Sequence, residues 1–196
     1  MKVLKALGNG SCLFISLRLG LELLKVLEVK KMGLLDGRNA SIVKSAEELR
    51  IIIINWYSNG LKKTVESFGA FNESSKKTWT REDIIATELH NLSSVDVPED
   101  VPERLKAVLL YLEKMKVAGT WGGTPEYTAF AFMAKCNIYV WSEGKIINAL
   151  KITEDNKTIH LLFSGRNHYD LLLTDEQVHE VYKINPRLSL EDYSPE

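Results

Sequence analysis

The sequence has almost no cysteine: Cys12 and Cys136 are the only two among 196 residues, more than a hundred positions apart. Such a pair makes neither a disulfide framework nor a thiolate zinc site, and a reducing compartment, the cytoplasm, is the expectation. Long apolar runs are also missing. The longest aliphatic stretch, Ile51 to Ile54, is far short of the ~20 residues that span a bilayer, so no membrane association is expected. Lys5 breaks what would be the apolar core of a signal peptide between Met1 and Gly8. Neither sign of charge dominates. Lys and Arg number 25 against 26 Asp and Glu, a formal charge of -1, which argues against a broad nucleic-acid surface. Lys30-Lys31, Lys62-Lys63 and Lys76-Lys77 read as solvated pairs rather than a footprint. No metal-ligand cluster, phosphate loop, serine triad or internal repeat is visible, so no cofactor is expected.

What is present is enough apolar material for one core. A hydrophobic fraction of 45% excludes global disorder, and the length fits one domain of roughly 100–200 residues. A single domain over residues 1–196, working as a monomer, is the expectation. Lys2 to Leu7 reads as a short strand, followed by the turn-forming loop Gly8-Asn9-Gly10-Ser11. Ile15, Leu19, Leu23 and Leu27 then recur every fourth residue, which predicts a helix with Cys12 at its N-terminus. Ser45-Ala46-Glu47-Glu48 reads as a capping box opening a second helix, with Leu49, Ile53 and Trp56 on one face. Residues 68–102 are polar and acidic and read as a variable insertion, holding one short helix capped by Thr80. Pro102 opens a helix buried through Leu105, Val108, Leu109, Leu112 and Met115, which Gly119 is expected to end. Thr124-Pro125 predicts an N-cap and first turn for the next helix. Short β-branched and aromatic runs follow at Ile138–Trp141, Ile159–Phe163 and Leu171–Leu173, and residues 183–196 read as a loose tail or docking strip. Helices first and most strands later is the pattern of an α+β fold.

The chemistry-bearing candidates are Cys12, His168 and Asp170. A thiol attacks as thiolate, and a free cysteine titrates at about pH 8.5, so a nucleophilic cysteine needs help from its surroundings. A helix N-terminus gives Cys12 the positive end of the macrodipole, and Gly10-Ser11-Cys12 can turn backbone amides toward a developing oxyanion. His168 lies in a polar stretch between two apolar runs, and Asp170, two residues on, shares its face in an extended chain. A relay follows in which His168 takes the Cys12 proton and Asp170 orients the imidazole. The competing reading makes Cys12 a small apolar residue beside a core helix and His168 an ordinary loop histidine. His160 alternates within an apolar strand and reads as a satisfied core or edge histidine.

Three blocks in order, Asn9-Gly10-Ser11-Cys12-Leu13-Phe14, Trp121-Gly122-Gly123-Thr124-Pro125-Glu126 and His168-Tyr169-Asp170, resemble the signature blocks of ovarian-tumour (OTU) cysteine proteases. The intervening helices, with Glu48-Leu49-Arg50 and Tyr111-Leu112-Glu113-Lys114-Met115, also resemble that family, so the likeness spans Val3 to Leu173. The resemblance implies a papain-like fold with a small central β-sheet packed between helices. It also implies hydrolysis of isopeptide bonds after the C-terminal glycine of ubiquitin or a ubiquitin-like modifier, with no metal or organic cofactor. It makes Cys12 the nucleophile, His168 the base and Asp170 the orienting acid. Asn9, Gly10 and Ser11 would form the oxyanion loop, while Trp121, Gly122, Gly123 and Asn167 would border the channel for the modifier's tail. Trp121 can equally be a packing residue that closes the core beneath the turn.

The family's cysteine block normally begins with aspartate where this chain has Asn9, which keeps an acceptor but supplies no negative charge. A compact chain with so short a segment before Cys12 suggests a viral or pathogen effector acting in the host cytoplasm. The alternatives are a ubiquitin-binding module without catalysis, a polyprotein-processing protease of the same fold, and an α+β interaction protein in which all three blocks are structural.

Overall fold

The computed structural model describes residues 1–29, 38, 40–68, 76–93, 100–165 and 167–194. Lys30-Lys31, the polar stretch 72–75 and the acidic stretch 94–99 lie outside them. In chain order the elements are β1 (Lys2–Leu4), α1 (Cys12–Val29), α2 (Ala40–Ser58), β2 (Thr64–Phe68), β3 (Lys76–Thr80), α3 (Arg81–Ser93) and α4 (Val101–Met115). There follow α5 (Thr124–Ala134), β4 (Asn137–Ser142), β5 (Lys145–Leu150), β6 (Thr158–Ser164), β7 (His168–Leu173), α6 (Asp175–Ile184) and β8 (Glu191–Asp192). The fold class is α+β, as the order of patterns predicts.

One mixed sheet runs β5-β4-β6-β7-β1-β8, and only β4 and β6 pair in parallel. Glu143 and Gly144 both take positive φ, 49° and 73°, the turn whose twist suits a two-residue hairpin, and they join β4 to β5. Strand β5 is not legible beforehand because it is a half-exposed edge without clean alternation. The main core joins Leu4, Leu161, Leu171 and Leu173 of the sheet to Leu13, Leu17 and Leu23 of α1, Ile53 of α2 and Phe130 of α5. A smaller cluster of Val3, Leu162 and Leu172, with Met1, Trp141 and Tyr193 against it, forms separately on the sheet.

Helix α1 lies on β6 and β7. Gly20 permits this approach: a Cβ there would stand 2.7 Å from Ile159 Cγ2. Ser16 Oγ donates to the Tyr169 carbonyl at 3.1 Å, tying the helix to the strand that carries His168.

Several local expectations need correction. Helix α2 already runs from Ala40, so Ser45 is inside it and its hydroxyl donates back to the Ile42 carbonyl at 3.0 Å. Buried Ile42 and Ala46 extend the apolar stripe upstream, and packing overrides the local cap signal. Thr80 does cap α3: its hydroxyl accepts from Asp83 N–H at 3.1 Å while Asp83 Oδ2 accepts from Thr80 N–H at 2.9 Å. Lys76 and Lys77 belong to β3, paired with β2, instead of a polar loop. Leu109 is exposed on α4, whose buried line is Val108, Leu112 and Met115, and the helix stops at Met115, before Gly119. The cap of α5 is Gly123, with Thr124 the first helical residue, because Glu126 Oε2 accepts from Gly123 N–H at 2.7 Å. In the segment expected as a loose tail, α6 continues to Ile184 and Glu191–Asp192 pair with β1 as β8.

Candidate active site

Cys12 opens α1 after a loop whose backbone the sequence bends sharply. Gly10 takes φ +79°, open to glycine at little cost, and the Ser11 carbonyl accepts the first helical bond, from Ile15 N–H at 2.9 Å. Asn9 Oδ1 accepts from Ser11 N–H at 3.3 Å. Here the carboxamide does the accepting that an aspartate would do, and it occupies one of the amides expected to face an oxyanion.

The second wall is β7. His168 begins the strand instead of sitting in a turn, so the argument that residues two apart share a face applies to it directly. His168 Nε2 lies 2.9 Å from Asp170 Oδ1, which also accepts from Ala6 N–H at 2.8 Å. Asp170 is 0% exposed, and its Oδ2 accepts from Lys5 Nζ at 3.1 Å. The antiparallel register of β1 on β7 pairs Leu4 with Leu171, which carries Lys5 and Ala6 past Asp170. A carboxylate accepting at Nε2 puts the ring proton there and leaves Nδ1 as the basic nitrogen. The Nδ1 edge faces the loop before Cys12: a Cβ on Gly8 would lie 3.7 Å from both His168 Nδ1 and Cε1.

Cys12 is brought against this strand. Its thiol donates to the Asn167 carbonyl at 3.7 Å and accepts from Tyr169 N–H at 3.4 Å, the backbone on either side of His168. The thiol therefore bonds the frame of the histidine and not its imidazole. Cys12 is only 1% exposed, and burial pushes its thiol up, against the opposing pull of the Tyr169 and Leu13 amides, with Asp170 adding to the rise. Burial thus works against the helix terminus, and a thiolate here would depend on proton transfer to His168.

The third block closes over the other side. A Cβ on Gly122 would meet Leu13 Cδ2 and Phe14 Cε2 at 3.0 Å, so the glycine lets the 121–123 turn lie on the first turn of α1. Gly123 is the cap of α5. Trp121 is 44% exposed and is not the core-closing residue that one reading makes it. Asn167 is exposed beside the histidine. The residues of all three blocks thus gather around the N-terminus of α1.

Two contributors escape a reading of the sequence. Lys5 signals nothing there beyond a charge near the start, and Arg50 is visible only within a resemblance. Arg50 is 0% exposed, and its bonds reach Gly10, Ser11, Met115 and Thr120. The remaining histidine and cysteine candidates lie apart from this chemistry. His160 Nδ1 accepts from Trp141 Nε1 at 3.0 Å, and burial lowers it to about 4, so it is a hydrogen-bonded, half-buried strand histidine in line with the core-or-edge expectation. Cys136 is fully buried, which pushes its thiol up to about 12. Among the described residues no group of His, Cys, Asp and Glu is arranged to hold a metal ion, and no helix is long and apolar enough to cross a membrane.

No protein-family model matches the sequence, and no curated protein matches it. Solved structures do. An OTU deubiquitinase from Wolbachia pipientis wMel is 18% identical, covering 91% of this chain and 94% of that one, with a TM-score of 0.49. The viral OTU domain protease from Farallon virus is 15% identical, covering 88% and 84%, with a TM-score of 0.46. The OTU domain of OTUD1 is 16% identical, covering 88% and 85%, with a TM-score of 0.42. In these comparisons the chain is similar to OTU domains.

Proposed function

We propose that this chain is a cysteine isopeptidase that cleaves after the C-terminal glycine of ubiquitin or a ubiquitin-like modifier. The observation that carries the reading is the seating of the Cys12 thiol between the Asn167 carbonyl and the Tyr169 amide, around a His168 whose Nε2 is held by Asp170. On this reading Cys12, at the start of α1, serves as nucleophile and His168 and Asp170, on β7, as base and orienting acid, the set of groups that acyl transfer by a thiol uses.

Turnover begins when the modifier's tail enters beside Trp121 and Asn167 and the thiol leaves the Asn167 carbonyl. His168 Nδ1 takes the thiol proton as Sγ attacks the glycine carbonyl carbon, forming the C–S bond. The carbonyl oxygen becomes an oxyanion at the start of α1, where the Cys12 amide faces the positive end of the helix. Collapse breaks the C–N bond, and His168 gives its proton to the departing lysine amine. Water, deprotonated by the same imidazole, then hydrolyses the thioester and frees Cys12. Asp170 keeps the imidazole in one tautomer throughout. We place this reaction in the cytoplasm, where reducing conditions preserve a free thiol, with the modifier conjugate as partner and a single copy of the chain as the working unit.

The test is incubation with ubiquitin carrying a C-terminal vinyl electrophile, read by intact-protein mass spectrometry. One ubiquitin added at Cys12, absent in Cys12→Ala and slowed at least tenfold in His168→Ala, is the expected result. A second reading, a modifier-binding module without catalysis, rests on the burial of Cys12, which pushes its thiol up, and on the uncharged Asn9. Ubiquitin binding without an adduct would establish it and overturn the first.

A further inference from the structure

Arg50 lies on α2, and each of its five N–H donors has an acceptor. Nε donates to Glu47 Oε2 at 2.9 Å, on the preceding turn of the same helix. Nη1 donates to the Thr120 carbonyl at 2.8 Å, within the segment that follows α4, and to the Met115 carbonyl at 3.4 Å, at the end of α4. Nη2 donates to Ser11 Oγ at 3.2 Å and the Gly10 carbonyl at 3.5 Å, in the loop before Cys12. Ser11 Oγ in turn donates to Glu47 Oε1, closing a ring of three side chains. The guanidinium stands 4.0 Å over the Phe14 ring, so its apolar face is also covered.

A wholly buried charge is costly unless every donor is paired, and a planar fork with fixed directions is the group that pairs in this way. The two loops that it joins also touch directly. A Cβ on Gly10 would lie 1.8 Å from the Gly119 carbonyl oxygen, so the Cys12 loop passes under the 116–123 segment with no room between them. Turning the Gly10 carbonyl toward Arg50 fixes the plane of the peptide that leads into Ser11 and Cys12.

We infer that Arg50 is the positioning residue of the site: it locks the Cys12 loop to the 116–123 segment and thereby sets both the amides at the start of α1 and the buried seat of the thiol. Arg50 touches no reacting atom and acts through Gly10, Ser11 and Thr120. The kinetic part of the inference rests on the isopeptidase reading, while the part concerning access to the thiol does not.

Arg50→Lys keeps the charge and loses the fork. Two readouts are taken on the purified chain: steady-state hydrolysis of a ubiquitin C-terminal fluorogenic amide, and the rates at which iodoacetamide modifies Cys12 and Cys136, resolved by peptide mass spectrometry. The expected result is a ten- to hundredfold fall in kcat with KM within threefold. Cys12 is expected to alkylate at least fivefold faster and Cys136, fully buried elsewhere in the core, at an unchanged rate. Faster modification of both cysteines together would show a general loosening and overturn the inference. Unchanged kcat and unchanged Cys12 modification would overturn it too, leaving the isopeptidase reading intact. A wild-type chain inactive on ubiquitin, with Cys12 still selectively uncovered in Arg50→Lys, would sink the ubiquitin reading and keep the role of Arg50. Should Arg50→Lys fail to fold, Glu47→Gln, which weakens one bond of the fork at a half-buried position, decides by the same two readouts with smaller changes.

Discussion

Gly10 and Gly119 meet backbone against backbone, each with φ near the same positive value, 79° and 78°, yet the space around them is unequal. A Cβ on Gly10 would collide with the Gly119 carbonyl oxygen at 1.8 Å, whereas a Cβ on Gly119 would find its nearest neighbour, the Asn9 carbonyl oxygen, at 3.4 Å.

Unequal space makes the two alanine variants unequal. Gly119→Ala bears only the left-handed backbone, about 1–2 kcal/mol, and retains turnover within threefold. Gly10→Ala bears the same backbone penalty and must also separate the two loops. Urea unfolding is expected to show at least twice the stability loss of Gly119→Ala, and the ubiquitin probe to show no adduct. Equal losses in the two variants would refute the packing described at this crossing.

Lys5 is the cationic partner of a carboxylate that is wholly buried, and it holds the oxygen that His168 does not use. Without it only the Ala6 amide would hold the carboxylate against the imidazole. Lys5→Met is therefore expected to lower kcat five- to fiftyfold with KM little changed, and Lys5→Arg to restore most of the rate. A Lys5→Met enzyme with wild-type kcat would remove Lys5 from the site.

Glu126 is expected to make stability fall as pH rises. Its carboxylate is fully buried, accepts from Gly123 N–H at 2.7 Å and from Tyr111 Oη at 2.8 Å, and burial pushes it up to about 7. The folded chain then binds a proton that the unfolded chain has already released between about pH 4.5 and 7, so stability falls as pH rises through that window. Glu126→Gln cannot ionise. It is expected to match the wild type near pH 4.5 and to exceed it by up to about 3 kcal/mol at pH 8, since each tenfold difference in proton affinity between the folded and unfolded chain is worth roughly 1.4 kcal/mol. Chemical denaturation at both pH values measures this, and a gap independent of pH would contradict it.

Much of this architecture is legible in the sequence where a residue's local signal and its tertiary role coincide. Gly10 and Cys12 are placed by a turn followed by a periodic helix, whereas His168 and Asp170 share a face by the two-residue period of a strand that the sequence announces only from Leu171. Gly122 and Gly123 follow from the turn before α5. What is not legible depends on partners far along the chain. Ser45 carries a cap signal that the burial of Ile42 and Ala46 cancels, and β3 is too polar to announce itself. Nothing local distinguishes Lys5 or Arg50 from any surface cation: the first acquires its role from a register between β1 and β7, the second from three segments closing around one side chain. The state of the thiol is likewise hidden, because a helix N-terminus argues for an anion while burial, visible only in three dimensions, argues against it.

The seating of Cys12 between two backbone groups bears on how the chain ages in an oxidising environment. Peroxide reacts with thiolates that it can reach, and oxidation past the sulfenic stage is irreversible for most proteins. A sulfur that is 1% exposed against the backbone of β7, with its thiol pushed up by burial, offers little charge and little access. On the isopeptidase reading, the contacts that must break before a first turnover would also shield the thiol between turnovers and confine its exposure to oxidant to the moments when substrate is bound.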